Sequence, residues 1–152
     1  MNAKRVQDSQ VITTNLVLPN DTNQLGNLLG GTLMHWIDIA AAIASKRHSD
    51  RVCVTASVDE LNFHHPIRLG DIVTLQASIN RAFRTSMEVG VIVTSESQSG
   101  HYTRRANHAY LTFVAIDESG SPVAVPPVKP ETEDEKRRFH EALERRELRL
   151  QH

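Results

Sequence analysis

The sequence predicts an α+β fold in which an antiparallel sheet of five to six strands wraps around one long central helix, followed by a charged C-terminal helix or tail. Two patterns carry this prediction. An apolar-rich run opens at the paired glycines Gly30 and Gly31 and continues past Ser45, which suits a helix and exceeds an ordinary strand. After it come four stretches that alternate in polarity with a period of two and stop at turn-forming residues, the pattern of hairpin-connected strands.

The elements follow in order. Val11 to Leu18 is a first strand, β-branched and aliphatic, halted by Pro19-Asn20-Asp21. In the helix, Leu29, Leu33, Ile37, Ala40 and Ala44 share one side at 100° per residue, and Trp36, Ile39 and Ile43 widen it. Lys46-Arg47-His48 place cations where a helix C-terminus favours them. A narrow strip remains, made of Gly31, His35, Asp38, Ala42 and Ser45. A carboxylate on so apolar a helix is unfavourable unless partnered, so Asp38 is the residue that calls for a purpose.

Val52, Val54, Ala56 and Val58 alternate into Leu61-Asn62-Phe63, and His64-His65-Pro66 closes this second strand. Gly70-Asp71 turns the chain into Ile72 to Phe83, with Val73, Leu75, Ala77 and Ile79 on one face. Arg84-Thr85-Ser86 connects to the clearest strand, where Met87, Val89, Val91 and Val93 alternate with Glu88, Gly90, Ile92 and Thr94. Gln98-Ser99-Gly100 leads into Tyr102 to Ile116, with Ala109, Leu111, Phe113 and Ala115 facing one way. One helix against five strands leaves the other sheet face and two edges without cover, which favours an oligomer.

Pro122, Pro126, Pro127 and Pro130 separate a domain over residues 1–125 from a linker and charged tail over 126–152. Acidic residues open that tail and basic ones follow, as the helix dipole prefers, but Phe139, Ala142 and Leu143 make only a thin apolar stripe. The tail reads as a marginal helix, a solvated or fraying extension in the first place and a specific subunit contact as the alternative. At 152 residues, 39% hydrophobic and 23% charged, the chain suits one soluble domain. A formal charge of -1 with mixed signs offers nothing to a nucleic acid or an acidic membrane. The single Cys53 forms no internal disulfide, and MNAKRVQDSQ lacks the apolar core of a secretory signal. No run nears the roughly 20 apolar residues that span a bilayer, so the expectation is a cytoplasmic protein without membrane insertion.

Asp21-Thr22-Asn23 with Gly26, then Gly30-Gly31, then Asp38, form an ordered set with Leu61-Asn62-Phe63 and Pro66, Gly70-Asp71, Arg84-Thr85-Ser86-Met87 and Leu111-Thr112-Phe113-Val114-Ala115. That set resembles the acyl-CoA hydrolase branch of the hotdog-fold thioesterases, over residues 10 to 125. The resemblance implies hydrolysis of acyl-CoA to a free acid and coenzyme A, with no metal and no cofactor beyond the coenzyme A of substrate and product. It implies dimers at least, and trimers of dimers as the assembly. It matches Asn23 and Asp38 to the catalytic amide and carboxylate and Gly31 to the group that holds the thioester carbonyl. Gly30 falls beside the substrate, and Phe63 and His64 fall to the acyl or pantetheine tunnel.

Each role has a physical basis. N–H groups at a helix N-terminus carry partial positive charge and stabilise an oxygen that becomes negative. A carboxylate in apolar surroundings is poorly solvated and so a better base toward water, while direct attack through a mixed anhydride is equally open to it. Asn23 donates and accepts and so orients water or carbonyl. For coenzyme A, Arg84-Thr85-Ser86 offers a guanidinium, hydroxyls and backbone N–H groups. Gly31 and Asp38 share a helix face, but seven residues at about 1.5 Å each set them roughly 10 Å apart. That is too far for one reacting carbon, so Asp38 is expected from a neighbouring subunit whose helix runs antiparallel.

Other chemistries fit less well. His64, His65 and His35 lack the His-x-x-x-His or Cys-x-x-Cys spacing of ligands on one element, and no Gly-x-Ser-x-Gly elbow occurs. A non-catalytic acyl-CoA-binding or sensing module is the alternative from another class. A hotdog dehydratase needs a His paired with a carboxylate, and His35 lies three residues from Asp38.

Overall fold

The computed structural model describes residues 1–59, 61, 65–97 and 103–151, with backbone alone over 103–106. Its elements are β1 (Lys4–Arg5), β2 (Val11–Leu16), α1 (Gly30–Ser49), β3 (Val52–Val58), β4 (Ile72–Ala82), β5 (Ser86–Glu96), β6 (Thr103–Ile116), β7 (Val128–Lys129) and α2 (Glu133–Leu150), with short 3-10 turns at Val6–Asp8 and Pro19–Asp21. The five long strands form one antiparallel sheet in the order β2-β4-β5-β6-β3, curled around α1 in the hotdog arrangement. β1 and β7 make a separate parallel pair that ties the two ends of the chain together. No helix among the described residues is long and apolar enough to cross a membrane.

The period-two pattern decides what meets the helix. Val73, Leu75, Ala77 and Ile79 of β4, Met87 to Val93 of β5, and Ala109 to Ala115 of β6 present their odd-numbered residues inward, and all are buried. Leu33, Ile37, Ala40, Ala41 and Ala44 of α1 complete this core. Each large side chain removed from water there contributes about 1.5–3 kcal/mol, and the three alanines let the sheet lie close to the helix axis.

Two expectations are corrected. β3 is not joined by a hairpin to β4, because it pairs with β6 at the far edge of the sheet. Its valines also point the other way. Val52 and Val54 are 64% and 45% exposed, whereas Cys53 and Thr55 are turned toward α1, and past the shift Val58 lies opposite the inward Leu111. A register shift between Thr55 and Ser57 re-aims the strand midway.

The C-terminal segment is a third correction, since α2 lies on the outer face of the sheet. It starts with a capping box: Glu135 N–H donates to Thr132 Oγ1 at 3.0 Å, and Thr132 N–H donates to Glu135 Oε1 at 3.4 Å. Arg145 then grips Glu88 of β5 with two bonds, Nε to Oε1 at 2.8 Å and Nη2 to Oε2 at 2.9 Å. Glu88 is 1% exposed and also accepts from Asn80 Nδ2 at 2.9 Å. The bare Gly90 makes room for this, because a Cβ there would lie 2.6 Å from Asn80 Nδ2. Guanidinium planes replace the missing apolar stripe, with Arg145 3.6 Å from the Tyr110 ring, Arg81 3.9 Å from Phe139 and Arg146 4.2 Å from Phe83. Burial opposes the charge on Arg145, but the Glu88 hydrogen bonds and charge outweigh it and hold its pKa above the ordinary arginine value.

His48 closes the other end of α1. Its ring is fully buried, Nε2 donates to Pro126 O at 2.7 Å, and Nδ1 is buried without a partner among the described residues. The neutral tautomer fits this site. Burial pushes its pKa below the ordinary imidazole value, against the pull of the Pro126 carbonyl.

Arg145→Ala leaves Glu88 buried and unpaired. Because Arg145 keeps some contact with water, urea unfolding should show a loss near the lower end of the roughly 3–5 kcal/mol expected for one-sided removal; a loss below about 1 kcal/mol would return α2 to a solvated extension. His48 gives a signed pH dependence. With a folded pKa below the unfolded value, the unfolded chain takes up the proton first, so its stabilisation is complete above about pH 6.5 and declines as pH falls below that. His48→Gln keeps a donor for Pro126 and cannot titrate here, so its urea midpoint should fall less between pH 7 and pH 5 than the parent's.

Candidate active site

The candidate groups stand at two points of one polar strip on α1, its N-terminal end and its middle. At its N-terminus, Leu29 occupies the cap position and no side chain caps the helix. Leu33 N–H is the first to close back, onto Leu29 O at 3.1 Å. The N–H groups of Gly30, Gly31 and Thr32 precede it and form the positive end of the helix. A Cβ at Gly31 would meet nothing within 4 Å, so its own chain does not require glycine there. The opening it leaves suits a group arriving from outside.

Asn23 stands in the loop before the helix. Its Oδ1 accepts from Leu25 N–H at 2.9 Å and Asn27 N–H at 3.1 Å, and Gly26 N–H donates to Asn23 O at 3.0 Å with φ at +77°. The side-chain carbonyl is therefore committed to folding the loop. What Asn23 offers outward is its Nδ2 donor, a narrower capacity than the sequence alone allows.

Two turns along the helix, Asp38 is half-buried, and Thr55 Oγ1 of β3 donates to its Oδ1 at 2.8 Å. Thr55 escapes a motif search, since a threonine in a strand carries no signal; only the β3 re-aiming brings it to α1. His35 is exposed on the same helix, and the side chain held against Asp38 is that of Thr55. Ile39 and Ile43 of α1 are exposed, and the edge strand β3 exposes Val52 and Val54 on its other face. Exposed apolar residues and an unpaired sheet edge are the kind of surface that proteins bury against a partner.

Arg84-Thr85-Ser86 forms the β4–β5 turn, at the sheet end where α1 finishes. The carbonyls of Arg84 and Thr85 accept from Val125 and Ala115, both at 3.0 Å. Arg84 is exposed, but the Ser86 hydroxyl faces α2 and accepts from Arg146 Nη1 at 3.4 Å. Within one chain the turn thus sits toward Asp38, while Asn23, Gly30 and Gly31 lie at the opposite end. Phe63 and His64 lie outside the described residues. Beside the helix N-terminus is a cavity of about 210 Å³, whose walls include Asn27, Leu28, Gly30, Leu33, His65 and Ile67. Among the described residues no three His, Cys, Asp or Glu side chains converge as a metal site.

Residues 25–100 match the family model described as the thioesterase superfamily. The chain is 42% identical over 139 residues to the uncharacterized acyl-CoA thioester hydrolase YkhA of Bacillus subtilis, covering 91% of this chain and 81% of that protein. It is 44% identical over 149 residues to acyl-coenzyme A thioesterase 11 of Mus musculus, covering 98% of this chain but 24% of that protein, so it spans about a quarter of the mouse protein's length. Among solved structures, an apo-hexameric acyl-CoA thioesterase superposes with a TM-score of 0.96 at 40% identity, covering 99% of this chain and 97% of that one.

Proposed function

Because the chain belongs to the thioesterase superfamily, we propose that it is an enzyme that hydrolyses acyl-CoA thioesters to a free carboxylic acid and coenzyme A. One observation carries this reading: an uncapped helix N-terminus and a threonine-held carboxylate occupy one strip of the same helix. The thioester carbonyl oxygen is received by the N–H groups at Gly30 and Gly31, which stabilise the charge that develops on it. Asp38 takes a proton from water, and the water oxygen bonds to the carbonyl carbon. The C–S bond then breaks, and the leaving thiolate recovers the proton from Asp38. Direct attack by Asp38, with water opening the resulting anhydride, uses the same residues.

Thr55 occupies Oδ1 and leaves Oδ2 for the reaction, which makes it a positioning residue for Asp38. Asn23 contributes a donor through Nδ2. Arg84 and Thr85 remain candidates for coenzyme A, while the Ser86 hydroxyl is drawn toward α2. This chemistry asks for no metal and no organic cofactor.

The helix rise still sets Gly31 and Asp38 roughly 10 Å apart, and the exposed Ile39 and Ile43 together with the edge of β3 supply a place for a neighbour. In our reading a second copy lies against α1 and β3 with its helix antiparallel, so that Asn23 and Gly31 of one subunit face Asp38 of the other. Three such dimers would make a hexamer, the assembly named for the superposed relative.

Free-thiol release from a panel of acyl-CoAs tests the reading. Asp38→Asn should lower kcat by about 10²–10⁴-fold, and Thr55→Val should lower kcat by a smaller factor with little change in KM; unaltered release by Asp38→Asn would overturn the assignment. Mixing Asp38→Ala with Asn23→Ala subunits should restore one intact site per heterodimer, so activity should recover well above either variant alone. Failure to recover in a mixture shown to contain heterodimers would place both residues in one subunit's site.

A further inference from the structure

Positive charge gathers without a counter-charge where α2 meets the β4–β5 turn. Arg146 Cζ lies 4.2 Å from the centroid of the Phe83 ring and Arg81 Cζ lies 6.0 Å from it. The two guanidiniums are therefore within about 10 Å of each other, roughly one Debye length at 0.1 M ionic strength. Arg84, exposed at the tip of the turn, follows Phe83 in the chain. None of the three makes an ion pair among the described residues; Arg146 donates to Ser86 Oγ and Arg81 to the carbonyl of Phe139. The rest of α2 behaves differently, since Lys136, Arg137, Arg138, Arg145 and Arg149 each meet a carboxylate. Glu88 lies opposite Arg81 in the β4–β5 register, but Arg145 and Asn80 already engage its two oxygens.

Docking of α2 does not require this arrangement. A flat side chain suffices to stack on Phe83, and Ser86 and the Phe139 carbonyl each need one donor, so uncharged groups would serve without mutual repulsion. The turn adds donors of its own. The carbonyls of Arg84 and Thr85 accept from Val125 and Ala115, whereas their N–H groups have no acceptor among the described residues. Two open backbone donors and three unpaired guanidiniums at one end of the sheet are complementary to an anion with several oxygens. A single carboxylate has too few oxygens for them all, while phosphate groups carry enough charge and acceptors for several.

We infer that Arg81, Arg84 and Arg146 bind the phosphate groups in the nucleotide half of coenzyme A, which makes α2 part of the substrate site. This rests on the thioesterase reading and extends its coenzyme A contact from one turn to the helix docked beside it. The pantetheine arm that joins the thioester to the phosphates is uncharged, so the phosphates supply the electrostatic part of recognition. They are remote from the reacting carbon and keep their charge throughout the reaction. Contacts to them hold ground state and transition state alike, and losing one raises KM rather than lowering kcat.

Adenosine 3′,5′-bisphosphate carries this half of the ligand without the thioester and is the probe. Titrated calorimetrically into the full chain, it should bind the wild type, and more weakly as salt is raised. Arg146→Gln, which keeps a flat donor for Ser86, and Arg81→Gln should each weaken binding by about tenfold or more, and Arg146→Lys should recover most of that loss. Arg137→Gln removes the same charge from a paired position on the same helix and should leave the affinity within about twofold. With acyl-CoA as substrate, Arg146→Gln should raise KM by a factor similar to its loss of bisphosphate affinity. A wild type that does not bind the bisphosphate overturns the inference whether or not the variants fold. So does an Arg146→Gln chain that binds like the wild type, or equal weakening by Arg137→Gln, which would reduce the effect to net charge. Bisphosphate binding by a wild type that releases thiol from no acyl-CoA would support the phosphate site and overturn the thioesterase reading alone.

Discussion

A helix apolar around most of its circumference cannot be covered from one side, and the architecture of this chain follows from that constraint. The curled sheet takes up Leu33, Ile37, Ala40, Ala41 and Ala44, which are fully buried. Ile39 and Ile43 remain exposed on another side of the helix. The helix is thereby held firmly along one flank and left open along the other. Asp38 sits half-buried on that helix, where Thr55 of β3 supplies one hydrogen bond. Burial of the first flank makes the helix rigid enough to present chemistry on the second.

Reactivity and stability pull in opposite directions at the helix N-terminus. A side-chain cap would satisfy the first N–H groups and typically add about 1 kcal/mol, and a residue with better propensity than glycine would help further. Neither is present at Leu29, Gly30 and Gly31. Open donors are what a developing oxyanion requires, and the loss is offset by packing of the rest of α1. Function tends to be written in such departures from the most stable choice.

α2 shows how a helix with little apolar surface can still dock. Mean hydropathy misjudges it, because arginine side chains contribute flat, partly apolar planes that stack on Phe83, Tyr110 and Phe139. The Glu88 carboxylate, buried in the face of β5, supplies a single counter-charge that sets the register of the helix on the sheet. In sequence Glu88 is one polar residue in a clean alternation, and nothing near it points to Arg145, 57 positions away. The same helix touches the β4–β5 turn through Arg146 and Ser86, so the outer face and the candidate coenzyme A contact share a support.

Local physics determined much of this protein from its sequence alone. Period-two alternation identified β4, β5 and β6 with their inward faces, and the run from Gly30 identified α1 and the isolated carboxylate on it, because these patterns depend only on backbone geometry and burial. The ordered motifs identified the family for the same reason that they are local: each is a few adjacent residues. Tertiary structure alone decided the rest. The pairing of β3 with β6, the outward turn of its valines, the Thr55 bond to Asp38 and the seating of α2 all join residues far apart in the chain, and a sheet edge or a stacked guanidinium has no local periodicity to betray it. The sequence could name Asp38; only the fold could say what holds it.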